Sequence, residues 1–98
     1  MTDKTTLTAE QVAGEGLTDW TFVNDTLHAS FDTGDFATGL RLVNRIGDAA
    51  ESANHHPDIV LTYPKVEVSL TSHDAGGVTS RDVSMARSIS EMAAAETG

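Results

Sequence analysis

Histidine is the residue type with which this sequence can move protons, and three of its four histidines occur at two short junctions. Asn54-His55-His56-Pro57-Asp58 forms one junction, and Ser72-His73-Asp74 forms the other. Imidazole gives and takes protons near neutral pH, which suits it to general acid–base catalysis. Glu51 lies four residues before His55 and can share its helix face. We therefore expect a proton-transfer site built from these three histidines with carboxylates nearby.

The order of the predicted elements determines whether the two junctions can meet. Apolar residues alternate in two regions and recur at helical spacing elsewhere. This pattern predicts a short helix from Thr8, a hairpin over 19–31, a helix over 35–53, a hairpin over 59–70 and a helix over 80–94. The simplest packing is an α+β fold (α-ββ-α-ββ-α), a four-stranded antiparallel sheet with three helices packed on one face. The length fits a single domain over residues 1–98.

Turn-forming residues mark the boundaries of these elements. Asn24-Asp25 separates the two strands of the first hairpin. In the second hairpin an alternating set ends with Tyr63, and Pro64 follows at the turn. Pro57 biases the residue before it away from helical geometry, so we expect the central helix to end near Asn54.

The second hairpin also predicts which histidines come together. It carries the chain out and back, so its two ends lie side by side, and His73 approaches His55 and His56. His28 falls on the outward face of the second strand, where we interpret it as a solvated side chain.

Apolar spacing predicts the buried faces of the two longer helices. For the central helix the expected stripe is Phe36, Leu40, Val43 and Ala50, widened by Leu42, Ile46 and Ala49. For the last helix it is Val83, Ala86, Ile89 and Ala93. Thr79 followed by Asp82 resembles a capping box that opens this helix.

Several other chemistries fit part of the pattern. Three histidines with Glu51 could hold zinc in an open site, although no H-E-x-x-H spacing occurs. The sequence contains no G-x-S-x-G elbow, and Gly76-Gly77 lacks the remaining residues of a phosphate-binding loop. His55 and His56 could also simply end a helix and satisfy local backbone groups. Spacing alone leaves this structural interpretation and the active-site interpretation open.

Composition limits the partners. The net charge is −9, with 15 acidic residues against 6 lysines and arginines, which argues against a nucleic-acid-binding face. The absence of cysteine excludes disulfides, thiolate metal sites and cysteine nucleophiles. The first residues form no apolar leader, and no stretch approaches membrane-spanning length. We expect a cytoplasmic protein that binds neither nucleic acid nor membrane.

One longer pattern spans the candidate residues. It is Glu51-x3-His55-His56-Pro57-x5-Tyr63-x9-His73-x8-Asp82, and it resembles the signature of the pterin-4a-carbinolamine dehydratases, also called 4a-hydroxytetrahydrobiopterin dehydratases. The segments AAESANHHPDI, YPKVEVSL and SHDAGGVTSRD are similar to the same family. The looser N-terminal pattern also fits, through Leu7, Thr8, Glu10, Leu17 and Trp20. The resemblance covers nearly the whole chain.

The resemblance implies a fold, an assembly and a reaction. The family fold has a four-stranded antiparallel sheet and three helices, and its members assemble as homodimers or homotetramers. The implied reaction is dehydration of a 4a-hydroxytetrahydropterin to a quinonoid dihydropterin, which recycles the pterin used by aromatic amino acid hydroxylases. It implies no cofactor and no metal. Two alternatives are a pterin-binding protein without turnover and a dimerisation cofactor of a partner protein.

The resemblance also implies roles for individual residues. The substrate site would be lined by His55, His56 and Pro57 on one wall and by Ser72, His73, Asp74 and Ala75 on the other. His55 and His73 would exchange the protons, and His56 would bind and orient the ring. Glu51 is expected to support His55 electrostatically. Asp82 is expected to support the start of the last helix.

Overall fold

Residues 5–97, which the computed structural model describes, form three helices and four strands in the predicted order. The elements are α1 (Ala9–Ala13), β1 (Trp20–Val23), β2 (Thr26–Asp32), α2 (Phe36–Ala53), β3 (Asp58–Leu61), β4 (Lys65–Leu70) and α3 (Ser80–Thr97). The α+β class is confirmed. Within residues 5–97 no helix has the length and apolar content needed to span a bilayer.

The strands form one antiparallel sheet in the order β1-β2-β4-β3. Its register keeps the apolar positions of neighbouring strands on one face, because successive strand side chains alternate between faces. Leu27 of β2, for example, lies opposite Phe22 of β1 and Leu70 of β4. This face packs against α2 and α3, and Val12 of α1 joins the same core. The predicted arrangement of helices on one face is confirmed.

The opposite face of the sheet is mostly polar. Thr21, His28, Ser69 and Asp58 form one row across the strands, in register from β1 to β3. In the described part of the chain an open groove, and no helix, lies along this face.

The two hairpin turns differ in how well the sequence predicted them. Asn24 and Asp25 both have positive φ values, 52° and 57°, which fits a two-residue type I′ turn and confirms the predicted position. Tyr63 lies outside β3, in a turn closed by the Thr62 N–H, which donates to the Lys65 carbonyl at 3.0 Å. Its side chain is 68% exposed, so the expected continuation of the strand through Tyr63 was wrong.

The predicted buried face of α2 is confirmed at Leu42, Ile46 and Ala50 but is wrong at Phe36 and Leu40. Leu42 and Ile46 are fully buried, whereas Phe36 and Leu40 are 47% and 43% exposed. A Cβ atom added at Gly39 would lie 2.7 Å from the Leu61 Cδ1 atom, so the helix approaches β3 closely at this glycine. That approach selects the face containing Gly39 and Leu42 and turns Phe36 and Leu40 outward.

Helix α3 has the predicted buried face and a longer C-terminal end. Val83, Ala86, Ile89 and Ala93 are all buried, as expected. The helix continues to Thr97 instead of ending at residue 94. Near this end Glu96 accepts hydrogen bonds from Arg41 and Arg45 of α2, both at 3.1 Å. These bonds join the last turns of α3 to α2.

Candidate functional site

The C-terminal end of α2 determines where the paired histidines leave the helix. Asn54 has a left-handed conformation, with φ 50° and ψ 43°. Its N–H donates to the Glu51 carbonyl at 3.3 Å, and the His55 N–H donates to the Ala50 carbonyl at 3.1 Å. These bonds form a Schellman motif, which requires a residue that tolerates positive φ. Asparagine fulfils this requirement better than most other residues.

His55 forms a buried pair with Asp82 of α3. Its Nε2 atom lies 2.5 Å from Asp82 Oδ1. The His55 side chain is 11% exposed and the Asp82 side chain is 0% exposed. Because an ionised carboxylate only accepts hydrogen bonds, Nε2 is the donor and Nδ1 holds the lone pair of the neutral ring. Asp82 therefore fixes both the orientation and the tautomer of His55.

The second oxygen of Asp82 connects the pair to the start of α3. Oδ2 accepts hydrogen bonds from the Ser72 hydroxyl at 2.7 Å and from the Thr79 N–H at 2.9 Å. The Thr79 bond is the reciprocal half of a capping box, so the predicted role of Asp82 at the helix start is present. Its contact with His55 was not predicted. Asp82 serves the helix start and the histidine at the same time.

His56 pairs with Glu51 at the surface. Its Nε2 atom lies 2.5 Å from Glu51 Oε2, and the two side chains are 55% and 78% exposed. We expected Glu51 to support His55, four residues away on the same helix face. This expectation was wrong because the chain leaves the helix at Asn54, so helical spacing no longer applies to His55.

His73 lies in a tight turn at the end of β4. The Ser72 N–H donates to the Gly77 carbonyl at 3.0 Å, and the Gly76 N–H donates back to the Ser72 carbonyl at 2.9 Å. Gly76 has φ +83°, a conformation that favours glycine. The Thr71 hydroxyl donates to the Asp25 carbonyl at 2.9 Å and holds the turn against the first hairpin.

A cleft of about 630 Å³ lies between the end of α2 and this turn. It is lined by Ala53, Asn54, His55, His56, Thr71, Ser72, His73, Asp74 and Arg81. All three candidate histidines therefore face one cavity. Among the other predicted substrate contacts, Ser72 and Asp74 line it, whereas Pro57 and Ala75 do not.

Arg81 lines the cleft and was not predicted as a site residue. Its guanidinium donates to both carboxylate oxygens of Asp74, at 2.8 and 3.4 Å. The pair lies beside the turn that carries His73, and it balances one acidic charge at the cleft. The sequence places Arg81 directly before Asp82, in the first turn of the last helix, and this position could have indicated that Arg81 lies near the site.

A smaller cavity of about 250 Å³ adjoins the cleft on the open face of the sheet. The two cavities have three lining residues in common: His56, Thr71 and His73. His28 lies on the far wall, where its Nδ1 atom is 3.0 Å from the Ser69 hydroxyl. The predicted exposure of His28 is correct, but its proximity to the other histidines was not expected.

The cleft is suited to binding a polar molecule and exchanging protons with it. Imidazoles face it from both walls, and Ser72, Asp74 and Arg81 add hydrogen-bonding groups. Across residues 5–97, no three histidine, aspartate or glutamate side chains converge in a way that could hold a metal ion. The zinc alternative therefore gains no geometric support from the described residues.

The cleft lies within a region of the chain that matches a known protein family. The family model described as pterin 4 alpha carbinolamine dehydratase matches residues 4–92. The chain belongs to the pterin-4a-carbinolamine dehydratase family. The matched span includes every residue of the site, from Glu51 to Asp82, and the resemblance noted in the sequence is confirmed.

Individual members of the pterin dehydratase family match over most of their length. A Nostoc punctiforme protein, provisionally named a pterin-4-alpha-carbinolamine dehydratase, is 41% identical over 92 residues, covering 94% of this chain and 99% of the relative. A crystal structure from Brucella melitensis, titled a transcriptional coactivator/pterin dehydratase, superimposes with a TM-score of 0.86 at 30% identity. It covers 91% of this chain and 99% of that structure.

A more distant structure shares the fold alone. It is titled a pterin dehydratase-like protein that is a RuBisCO assembly factor in the alpha-carboxysome. Its TM-score is 0.63 at 16% identity, covering 76% of this chain and 86% of that one. The fold of the pterin dehydratases therefore also occurs in a protein that is described by a different role.

Proposed function

We propose that this chain is a dehydratase that eliminates water from a 4a-hydroxytetrahydropterin and releases a quinonoid dihydropterin. The observation that carries this proposal is the buried His55–Asp82 pair, 2.5 Å apart, at a cleft that His56 and His73 also line. Family membership supplies the substrate class. The reaction breaks the C4a–O bond and forms a C=N bond to the adjacent ring nitrogen. One proton joins the departing hydroxyl, which leaves as water, and one proton is lost from that nitrogen.

His55 is the residue to which we assign removal of the nitrogen proton. Its Nε2 atom is committed to Asp82, so Nδ1 is the basic atom of the neutral ring. When Nδ1 accepts a proton, the positive ring lies against a buried carboxylate. Such a carboxylate orients an imidazole and stabilises the imidazolium that forms, as in other histidine–aspartate pairs.

His73 is the residue to which we assign protonation of the leaving hydroxyl. It lies on the opposite wall of the cleft, on the turn after β4, and its side chain is exposed. An exposed imidazole can regain its proton from solvent after each turnover. His56 completes the site by binding and orienting the ring, and Glu51 holds its imidazole through Nε2.

The test is the rate of dehydration of a 4a-hydroxytetrahydropterin generated in situ by an aromatic amino acid hydroxylase. The wild type should exceed the uncatalysed rate, and both His55→Ala and His73→Ala should lower kcat about 100-fold, the lower range for loss of a general acid or base. Ser52→Ala is the matched control, since Ser52 is exposed on the last turn of α2 and does not line the cleft. An unaffected His73→Ala variant would overturn the assignment of His73. A wild type without acceleration would overturn the dehydratase proposal.

We also propose that the chain self-associates as a homodimer or homotetramer. Phe36 and Leu40, one helical turn apart on α2, are large apolar side chains that the described chain leaves 47% and 43% exposed. Light scattering should give a mass of at least two chains for the wild type and a smaller mass for Leu40→Glu. If the wild type is monomeric, a helix of a partner protein becomes the better candidate for covering Phe36 and Leu40. Such a role is suggested by the coactivator title of the Brucella melitensis structure.

A further inference from the structure

Ser72 is the residue at which the two walls of the cleft are connected. It follows β4 and pairs with Gly77 in an antiparallel bridge, and its carbonyl accepts hydrogen bonds from the Ala75 and Gly76 N–H groups at 3.0 and 2.9 Å. These bonds close the turn in which His73 is the first residue after Ser72. The backbone of Ser72 therefore holds the wall of the cleft that carries His73.

The side chain of Ser72 contacts the other wall. Its hydroxyl donates to Asp82 Oδ2 at 2.7 Å, and the Oδ1 atom of the same carboxylate accepts from His55 Nε2. Ser72 is 1% exposed and Asp82 is fully buried. One serine is thus joined to the turn of His73 through its backbone and to the partner of His55 through its hydroxyl.

The hydrogen bonds around this hydroxyl have a single direction. A serine hydroxyl has one proton, and Asp82 receives it because an ionised carboxylate only accepts. In the 3.0 Å contact between the Ser72 and Thr79 hydroxyls, Thr79 is therefore the donor. Thr79 in turn accepts from the Arg81 N–H at 3.3 Å. Although Ser72 lines the cleft, its proton is used inside the protein and is not available to a substrate.

The Ser72 hydroxyl is one of three donors that orient the Asp82 carboxylate, together with His55 Nε2 and the Thr79 N–H. Without it, Oδ2 would keep the Thr79 N–H alone, and the Thr79 hydroxyl would lose its acceptor. The carboxylate would then rotate more freely, and the imidazole of His55 would move with it. Because catalysis depends steeply on the placement of reacting groups, a small displacement of His55 should slow turnover without weakening the binding of the substrate.

We infer that Ser72 is a positioning residue for the reaction, which fixes His55 and the turn carrying His73 relative to each other and does not itself bind the substrate. This inference rests on the proposed function, because that function assigns opposite proton transfers to the two histidines. The resemblance noted in the sequence implied a place for Ser72 in the wall of the substrate site. Its burial and its committed proton support the positioning role instead.

The first test separates kcat from KM for dehydration. Ser72→Ala should lower kcat about tenfold, the rate equivalent of about one hydrogen bond, and should change KM less than about twofold. Ser72→Thr keeps the hydroxyl and should recover kcat to within about threefold of wild type. Ser72→Cys, which is close to serine in size but a weaker donor, should lie between wild type and Ser72→Ala. An unchanged kcat in Ser72→Ala, or a loss that appears in KM instead, would overturn the inference.

Two control variants remove other buried hydroxyls. Thr79→Val removes the cap of α3 but leaves the hydrogen bond between Ser72 and Asp82, so it should lower kcat less than Ser72→Ala does. Thr33→Val removes a buried hydroxyl that does not line the cleft, and it should leave kcat unchanged. An equal loss of kcat in Thr79→Val and Ser72→Ala would overturn the inference, because a loosened helix start would then be sufficient.

The second test is an NMR measurement that does not depend on turnover. It follows the exchange with solvent of the His55 Nε2 proton, and the indole N–H of Trp20 is the internal reference. Trp20 is the single tryptophan of the chain, and its indole donates to the Ser90 hydroxyl at 3.0 Å. Ser72→Ala should speed exchange at His55 about tenfold and change exchange at Trp20 less than about twofold. An equal acceleration at both sites would mean that the whole fold is loosened and would overturn the positioning role.

The two tests together separate this inference from the function on which it rests. Dehydration by the wild type, with kcat and exchange unaltered in Ser72→Ala, keeps the dehydratase and removes the positioning role. A wild type without dehydration removes the proposed function. In that case the exchange rates still decide whether Ser72 holds His55 in place, and an unaltered rate at His55 overturns this inference as well.

Discussion

Two histidine–carboxylate pairs lie side by side in this molecule and differ mainly in their access to water. The His55–Asp82 and His56–Glu51 pairs have the same separation, 2.5 Å. Asp82 is fully buried, whereas Glu51 is 78% exposed. Solvent and salt screen the exposed pair, so it contributes little energy, whereas removing one partner of a buried pair leaves the other group unsatisfied. Two histidines that are adjacent in the sequence therefore contribute very differently to the stability of the fold.

The largest expected effect comes from changing the buried carboxylate while keeping its size. In Asp82→Asn the amide can no longer hold His55 in the same tautomer, so we expect kcat for dehydration to fall at least about 100-fold. Weaker hydrogen bonds to Ser72 and Thr79 should also lower the free energy of unfolding by about 2 kcal/mol. Steady-state kinetics and urea denaturation measure the two effects. Asp48→Asn, an exposed carboxylate of α2, is the control. If kcat equals that of wild type, burial does not make the His55–Asp82 pair more important for the reaction than the exposed pair.

A second substitution tests the left-handed backbone conformation of Asn54, which directs the two histidines after it to different carboxylates. Asn54→Ala places a less tolerant residue at φ 50°, and we expect the free energy of unfolding to fall by about 1 kcal/mol. Asn54→Gly should stay within a few tenths of a kcal/mol of wild type, since glycine adopts this conformation readily. Urea denaturation gives both values. An equal loss in the two variants would mean that the Asn54 side chain, and not its backbone conformation, supports the motif.

The exposed pair should respond weakly. For Glu51→Gln we expect a change of about threefold or less in kcat/KM and less than about 0.5 kcal/mol in the free energy of unfolding. The effect on kcat/KM should shrink further at high salt, because the interaction is screened. Measuring kcat/KM at low and high ionic strength tests this. A loss approaching that of Asp82→Asn would show that exposure does not separate the two pairs.

The smallest effect is expected at Glu96, a carboxylate outside the site. Its partners are arginines, so it extends the comparison beyond the histidine–carboxylate pairs. Hydrogen bonds from Arg41 and Arg45 hold the pKa of Glu96 below its ordinary value of 4.5. A carboxyl group whose pKa is lowered in the fold stabilises the protein above its ordinary pKa, and this contribution is lost as the pH falls through the folded pKa. Glu96→Gln should therefore reduce stability at neutral pH and approach wild-type stability in acid. Urea denaturation at neutral pH and at about pH 3.5 tests this, and a constant difference would contradict it.

The order of the elements was predictable because the spacing of apolar residues and the positions of turn-forming residues can both be recognised within a short stretch of sequence. The exposure of Phe36 and Leu40 on α2 was not predictable. Phe36 and Leu40 fit a helical stripe as well as Leu42 and Ile46 do, and only the close contact at Gly39 selects between the two faces.

The same limit applied to the site. The clustering of the three histidines follows from the hairpin over 59–70, so it could be predicted. The assignment of Glu51 to His55 failed because one left-handed residue, Asn54, ends the helical spacing. The contact of Asp82 with His55 depends on how α3 packs beside α2, and the approach of His28 to His56 depends on strand register. Neither leaves a signal in local sequence.

The double role of Asp82 affects how other sequences with this fold should be interpreted. An aspartate at this position would still be favoured in a protein without dehydratase activity, because α3 needs its oxygen to begin at Ser80. Its presence is therefore a poor indicator of turnover. Within residues 5–97 the side chain of His73 makes no comparable structural contact, so under the proposed function a related chain without turnover could replace it. Under the proposed function, the histidine in the turn after β4 should distinguish related chains that have turnover from those that lack it better than the buried aspartate does.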